Sequence, residues 1–133
     1  MKINHLHDWN LAPKEAIDLQ KSLASQIITD EKINLSKIKT LAGVDVSVKN
    51  GMSQAAVVVM SFPDLEPIET VRAQQATSYP YIPGLLTFRE GPVLEKAFLK
   101  LEHDPDIFVF DGMGLIHPRK MGIATHMGLW LDK

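Results

Sequence analysis

The sequence predicts a mixed α/β fold, one sheet with helices laid over it. Three observations carry that reading. Apolar side chains recur at spacings of three and four in separate stretches. Three consecutive strand-like runs are divided by short turns. A lone apolar strand then falls between the last two helical stretches. With 133 residues and no internal repeat, linker or shift of composition, the chain reads as a single domain spanning 1–133.

Pro13 to Thr29 predicts a helix. Pro13 suits a first helical position, where its missing N–H is not needed, and Ala16, Leu19, Leu23 and Ile27 form one apolar stripe. Thr40 to Val48 predicts a strand rich in branched residues. Lys49-Asn50-Gly51-Met52 follows as a hairpin turn, Asn-Gly being the strongest short hairpin signal. Gln54 to Phe62 is apolar with little alternation, which predicts a strand buried on both faces. Pro67 to Ser78 is more polar and predicts a third strand nearer an edge. Tyr79-Pro80-Tyr81-Ile82-Pro83-Gly84 is too constrained for regular structure and predicts a stiff extended loop. Leu85 to Leu101 predicts a helix that either kinks or restarts at Gly91-Pro92. Ile107 to Phe110 predicts a short, wholly apolar strand ending on Asp111, and Met121 to Leu131 a last helix.

The composition narrows the function. Hydrophobic residues make up 45% and charged residues 23%, ordinary globular values. Cysteine is absent, which removes disulfides, thiolate metal sites and cysteine nucleophiles and fits a reducing cytoplasm. The N-terminal stretch has no apolar signal region, and no apolar run is long enough to span a membrane. The net charge of −2 advertises no nucleic-acid partner, so any such partner must be met by local sites. No phosphate-binding P-loop, dinucleotide fingerprint or nucleophile elbow is present.

Four places could carry chemistry. Asp45 lies within an apolar strand, where a carboxylate either faces solvent or needs a cation or donors. Asp111 ends a strand, where α/β sheets open onto ligand crevices, or simply begins a turn. Glu90 lies in a helical stretch beside Arg89, and the bland alternative is an exposed helix face. His117-Pro118-Arg119-Lys120 is a compact cationic loop, a phosphate grip or a surface cluster. His5 and His7 form a weak metal signal, and His126 reads as packed or exposed rather than ligating. Two strand aspartates and a helix glutamate together make the hard-oxygen set that Mg²⁺ phosphodiester hydrolysis uses.

The ordered stretches GVDVS (43–47), AAVVVMSFPDLE (55–66), YPYIPG (79–84), FREGPVL (88–94) and PDIFVFDGMGLIHPRKMG (105–122) resemble the endonuclease V family. The resemblance implies a ribonuclease-H-like mixed sheet with flanking helices. It implies a Mg²⁺-dependent endonuclease, with Mn²⁺ as a substitute, that repairs DNA. The substrate implied is DNA containing deoxyinosine or other deaminated bases. The cut falls at the second phosphodiester bond 3′ to the lesion, without removal of the base. Asp45 and Asp111 correspond to metal-binding aspartates and Glu90 to a third catalytic carboxylate. His117 corresponds to a catalytic histidine near the scissile phosphate. Tyr81, within Pro80-Tyr81-Ile82-Pro83, corresponds to a wedge that enters the duplex. A stiff loop suits a wedge, and the base would be flipped into a pocket. Gly84, Leu86, Gly112 and Ile123 correspond to pocket residues, and Arg119 and Lys120 to backbone grips. The family pattern continues with a further strand, a lysine motif, helices and a late histidine. The chain therefore reads as an N-terminal part of that pattern. Two alternatives follow: a lesion-binding fragment without catalysis, or an inosine-specific ribonuclease.

Overall fold

The strands and helices lie close to where side-chain periodicity puts them. The computed structural model describes residues 1–133. Helix α1 runs Pro13–Leu23 with Pro13 in its first turn, and a single 3₁₀ turn, Ala24–Gln26, follows it. A second 3₁₀ turn, Leu35–Lys37, leads into strand β1, Thr40–Lys49. Strands β2 (Met52–Ser61) and β3 (Pro67–Ala76) complete an antiparallel meander. Helix α2 spans Leu86–Phe98, strand β4 Ile107–Phe110 and helix α3 Ile123–Leu131.

The sheet order is β3-β2-β1-β4, and β4 runs parallel to β1. The β1–β2 turn places Asn50 and Gly51 at φ 53° and 71°. Two consecutive left-handed residues are what a two-residue turn matching strand twist requires. The polar third strand lies at an edge, as its composition predicts.

One face of the sheet holds the core. Ala42 and Val44 of β1, Ala55, Val57 and Val59 of β2 and Ala73 of β3 meet Val93, Leu94, Ala97 and Phe98 of α2. Ile123, Met127, Trp130 and Leu131 of α3 close the same core. The expectation that β2 is buried on both faces is corrected here. Ser53, Ala55, Val57 and Val59 are buried, while Ala56, Val58 and Met60 between them remain half-exposed. Both helices that touch the sheet lie on the one face.

Residues 1–9 form a strap across α2 and α3. Asn4 N–H donates to the Trp130 carbonyl (2.7 Å), and Trp9 Nε1–H donates to Glu95 Oε2 (2.7 Å). His7 Nε2 lies 2.7 Å from Nε2 of the buried His126. Burial, followed by the nearby rings of His7 and His117, pushes His126 down to about 3, so it stays neutral at physiological pH. His126 is thus packed, one of the two placements the sequence leaves open, and His7 is its hydrogen-bond partner. No helix is long and apolar enough to cross a membrane.

Candidate active site

The parallel pairing of β1 with β4 sets the site. Its last paired residues are Val44 and Phe110, so Asp45 and Asp111 are the next residue on two neighbouring strands. Both are exposed. Asp106 fixes the opposite end of this pair. Its Oδ2 accepts the backbone N–H groups of Lys39 (2.8 Å) and Thr40 (3.0 Å), and its own N–H donates to Thr40 Oγ1 (3.2 Å). Those backbone donors hold the Asp106 carboxyl below the usual carboxylate range. Asp106 sits in the matched stretch, yet nothing in its local sequence marks it as the tie between the two aspartate-bearing strands.

Glu90 comes to this pair from α2. Burial, then the charge of Asp45, raises its carboxyl to about 7; Arg89 opposes the shift and Asp111 adds to it. The three carboxylates therefore lie within electrostatic reach of one another. No three His, Asp or Glu side chains stand in ligating geometry. The donor set nonetheless fits a hard divalent cation. The side chains are all oxygen donors, and their mutual repulsion is what a cation relieves.

The stiff loop before α2 lies beside a small cleft. Tyr81, Ile82, Pro83 and Gly84 line it from the loop, Leu86 and Thr87 from the start of α2, and Met113, His117, Met121, Gly122 and Ile123 from the far side. Tyr81 is 69% exposed. The loop's base is fixed: the Tyr79 hydroxyl donates to the Leu11 carbonyl (2.9 Å), and Arg89 Nη1 donates to the Tyr79 carbonyl (2.9 Å). Of the residues assigned to a pocket by resemblance, Gly84, Leu86 and Ile123 line this cleft. Gly112 does not; it is exposed, and a Cβ there would stand 2.6 Å from Ile123 Cγ2. Pro80 is exposed at the loop's outer side.

The cationic loop differs from its sequence reading. His117 is buried, and both ring nitrogens are engaged within the protein. Nδ1 accepts the Arg119 backbone N–H (3.0 Å), so Nε2 carries the hydrogen and donates to the Gly84 carbonyl (2.8 Å). In this geometry His117 braces the loop and has no ring nitrogen free to meet a phosphate. Arg119 is likewise turned inward. Its Nε donates to Gln20 Oε1 (2.7 Å) and one Nη to the Gly84 carbonyl (3.2 Å). Lys120 is exposed and its ammonium meets no carboxylate. Gln20, wholly buried, was not singled out from the sequence: a glutamine on an amphipathic helix carries no signal of its partners.

The family model for endonuclease V matches residues 21–133. The endonuclease V of Dehalococcoides mccartyi is 49% identical, aligned over all of this chain and 60% of its own. That of Thermosipho melanesiensis is 43% identical over all of this chain and 58% of its own. The chain thus spans about 60% of the length of the curated relatives it matches. The crystal structure of the Bacillus subtilis endonuclease V superposes with a TM-score of 0.91 at 33% identity, covering 100% of this chain and 58% of that one. The Ciona intestinalis endonuclease V was solved with a 24mer DNA containing an inosine followed by a ribo-adenosine. It superposes at 0.79 with 30% identity, covering 87% of this chain and 52% of that one. The family model's reach over most of the chain and the whole-chain superposition agree with the fold expected from the motifs: this chain belongs to the endonuclease V family.

Proposed function

We propose that the chain carries the acidic centre and lesion-recognising loop of a DNA-repair endonuclease. In this reading it hydrolyses the second phosphodiester bond 3′ to deoxyinosine or another deaminated base and leaves the base in place. The observation that supports it most is the placing of Asp45 and Asp111 at the matched ends of paired strands with Glu90 within their electrostatic reach. The exposed Tyr81 on a braced loop beside a small cleft adds to it.

Asp45 and Asp111 would hold Mg²⁺, or Mn²⁺ in its place, through carboxylate oxygens. When bound, such an ion activates a water and neutralises charge on the leaving oxygen. The chain's own groups do the rest. Glu90, with its carboxyl at about 7, is poised to take the proton of the attacking water at a carboxylate oxygen. Tyr81 fills the gap left by the extruded base and keeps the duplex parted. Ile82, Pro83 and Ile123 give the base an apolar wall, and Lys120 offers a phosphate contact. His117 and Arg119 brace the loop that carries that wall through the Gly84 carbonyl. The products are a 3′-hydroxyl and a 5′-phosphate.

The test is a nicking assay on a labelled duplex with one deoxyinosine, with Mg²⁺ or with chelator. The 133-residue chain is expected to give a metal-dependent nick on the 3′ side, and Asp45→Ala to lose it while keeping lesion binding. Cleavage by Asp45→Ala at the parent rate would sink the assignment. Inosine preference by the folded chain without any nick would favour the binding-only reading. A ribonucleotide follows the inosine in the Ciona complex. A matched inosine RNA therefore belongs in the same assay, and faster cleavage of it would make the chain an inosine-specific ribonuclease.

A further inference from the structure

We infer that Gln20 is a positioning residue that sets lesion selectivity by locking the Tyr81 loop to the His117–Arg119 loop. The inference rests on the nuclease reading above. Gln20 lies on α1 and is wholly buried, yet both ends of its amide are used. Its Oε1 accepts Arg119 Nε–H (2.7 Å) and its Nε2 donates to the Gly84 carbonyl (3.0 Å). The orientation is fixed by chemistry. Arginine has only donors, so the oxygen must face it, and the amide nitrogen is then the group left for Gly84.

Three donors thus converge on one carbonyl: Gln20 Nε2, His117 Nε2 and an Arg119 Nη. They come from α1 and from the cationic loop, whereas Gly84 closes the loop that carries Tyr81. Gly84 is at φ 85°, and a Cβ there would lie 2.8 Å from Arg119. The residue at this point must be glycine both for its backbone and for the closeness of the guanidinium. Tyr81 itself makes no side-chain hydrogen bond, so the loop's placement over the cleft is set at its two ends. Tyr79 anchors the first end and Gly84 the second. His117 also meets both Gly84 and Arg119, but from within the cationic loop; Gln20 ties them from outside it and so fixes both to α1. A wedge and a pocket discriminate a lesion only if held in fixed relation, because a loose wedge must be ordered again on each encounter.

The decisive comparison is Gln20→Met, close in size but without either hydrogen bond. The full chain's affinity is measured in chelator for a deoxyinosine duplex and for the undamaged duplex. Amide hydrogen exchange is measured across residues 79–87. Loss of the hydrogen bonds is expected to lower the inosine-to-undamaged ratio by about fivefold or more, near the worth of one net hydrogen bond. Binding to undamaged duplex should stay within about twofold, since it rests on exposed charge. Exchange at 79–87 should quicken while the sheet stays protected. A merely structural glutamine would weaken both affinities together and leave their ratio unchanged; that result overturns the inference. So does a folded variant with the parent ratio and parent exchange. If Gln20→Met fails to fold, Gln20→Glu replaces it. That variant keeps an acceptor for Arg119 but sets a carboxylate oxygen against the Gly84 carbonyl, so the same loss of selectivity is expected. If the parent chain shows no inosine preference, the nuclease reading fails first. Unchanged exchange in the variant would then refute the lock as well, and faster exchange confined to 79–87 would sustain it.

Discussion

Glu90 is the residue on which electrostatics and chemistry meet. Its carboxyl is raised by burial and by Asp45 from an ordinary 4.5 to about 7. The folded chain therefore binds that proton more tightly than the unfolded chain does. The resulting stability is complete below about pH 4.5 and is lost as the pH rises through about 7. Above that window the ionised group is a liability that Glu90→Gln removes. The variant is expected to be more stable than the parent near pH 8, by about 1 kcal/mol once solvent screening is allowed for. The difference should fade as the pH falls to 5, where the parent carboxyl is already protonated. Urea midpoints at the two pH values decide it; equal gains at both would place the effect elsewhere than in the charge. The same variant should lose nicking, so a gain of stability and a loss of activity would come from one atom pair. That trade is expected of a group kept for chemistry.

At the scale of elements, α2 shows what the sequence makes legible and what it hides. Gly91-Pro92 reads as a kink or a restart, and one helix runs through both residues, which excludes the restart. The reason for a glycine at position 91 lies far away in the chain. The Trp9 indole of the N-terminal strap lies where a Gly91 Cβ would stand, 2.4 Å from Trp9 Cη2. Gly91→Ala is therefore expected to cost about 1–3 kcal/mol, the usual toll of overpacking, despite alanine's better helix propensity. Thermal unfolding checks this, and the paired Gly91→Ala, Trp9→Leu chain should recover part of the loss. An unchanged midpoint for Gly91→Ala alone would refute the packing account. Other elements were readable because their cause is local. Asn50-Gly51 carries its own turn geometry, and the polarity of Pro67–Ala76 marks an edge. Helix α1 stops at Leu23, six residues short of the end at Thr29 that the stripe predicts. There the Ser22 and Ser25 hydroxyls bond to the carbonyls of Leu19 and Ser22, competing with continued helix. At the site, the carboxylates were legible by type. The bracing was not, because Gln20 meets partners 64 and 99 residues away.

For the whole molecule, the decisive fact is that helices cover one face of the sheet and that its outermost strand beyond β1 is short. Apolar composition on both sides of β2 predicts burial but cannot say which side has a partner, and here only one does. Strand β4 has four residues and pairs on one side alone, with β1. Its free edge leaves backbone donors and acceptors unmet, and Val109 in its middle is 54% exposed. Nearby Met113, Leu115 and Ile116 are exposed as well, Ile116 by 83%. An apolar, unpaired edge with no charged side chain along it is a template for another strand. The expected outcome is concentration-dependent self-association of this chain, measurable by sedimentation. Val109→Lys places a charge on the edge without touching the covered core, and should weaken that association by about tenfold or more, as edge lysines do through like-charge repulsion between copies. Because Val109 stands two residues before Asp111, lesion binding by the variant is the control that the strand has kept its place. A parent chain that stays monomeric at concentrations of hundreds of micromolar would show that twist and shortness alone protect this edge. The exposed face would then be a solvated surface in spite of its composition.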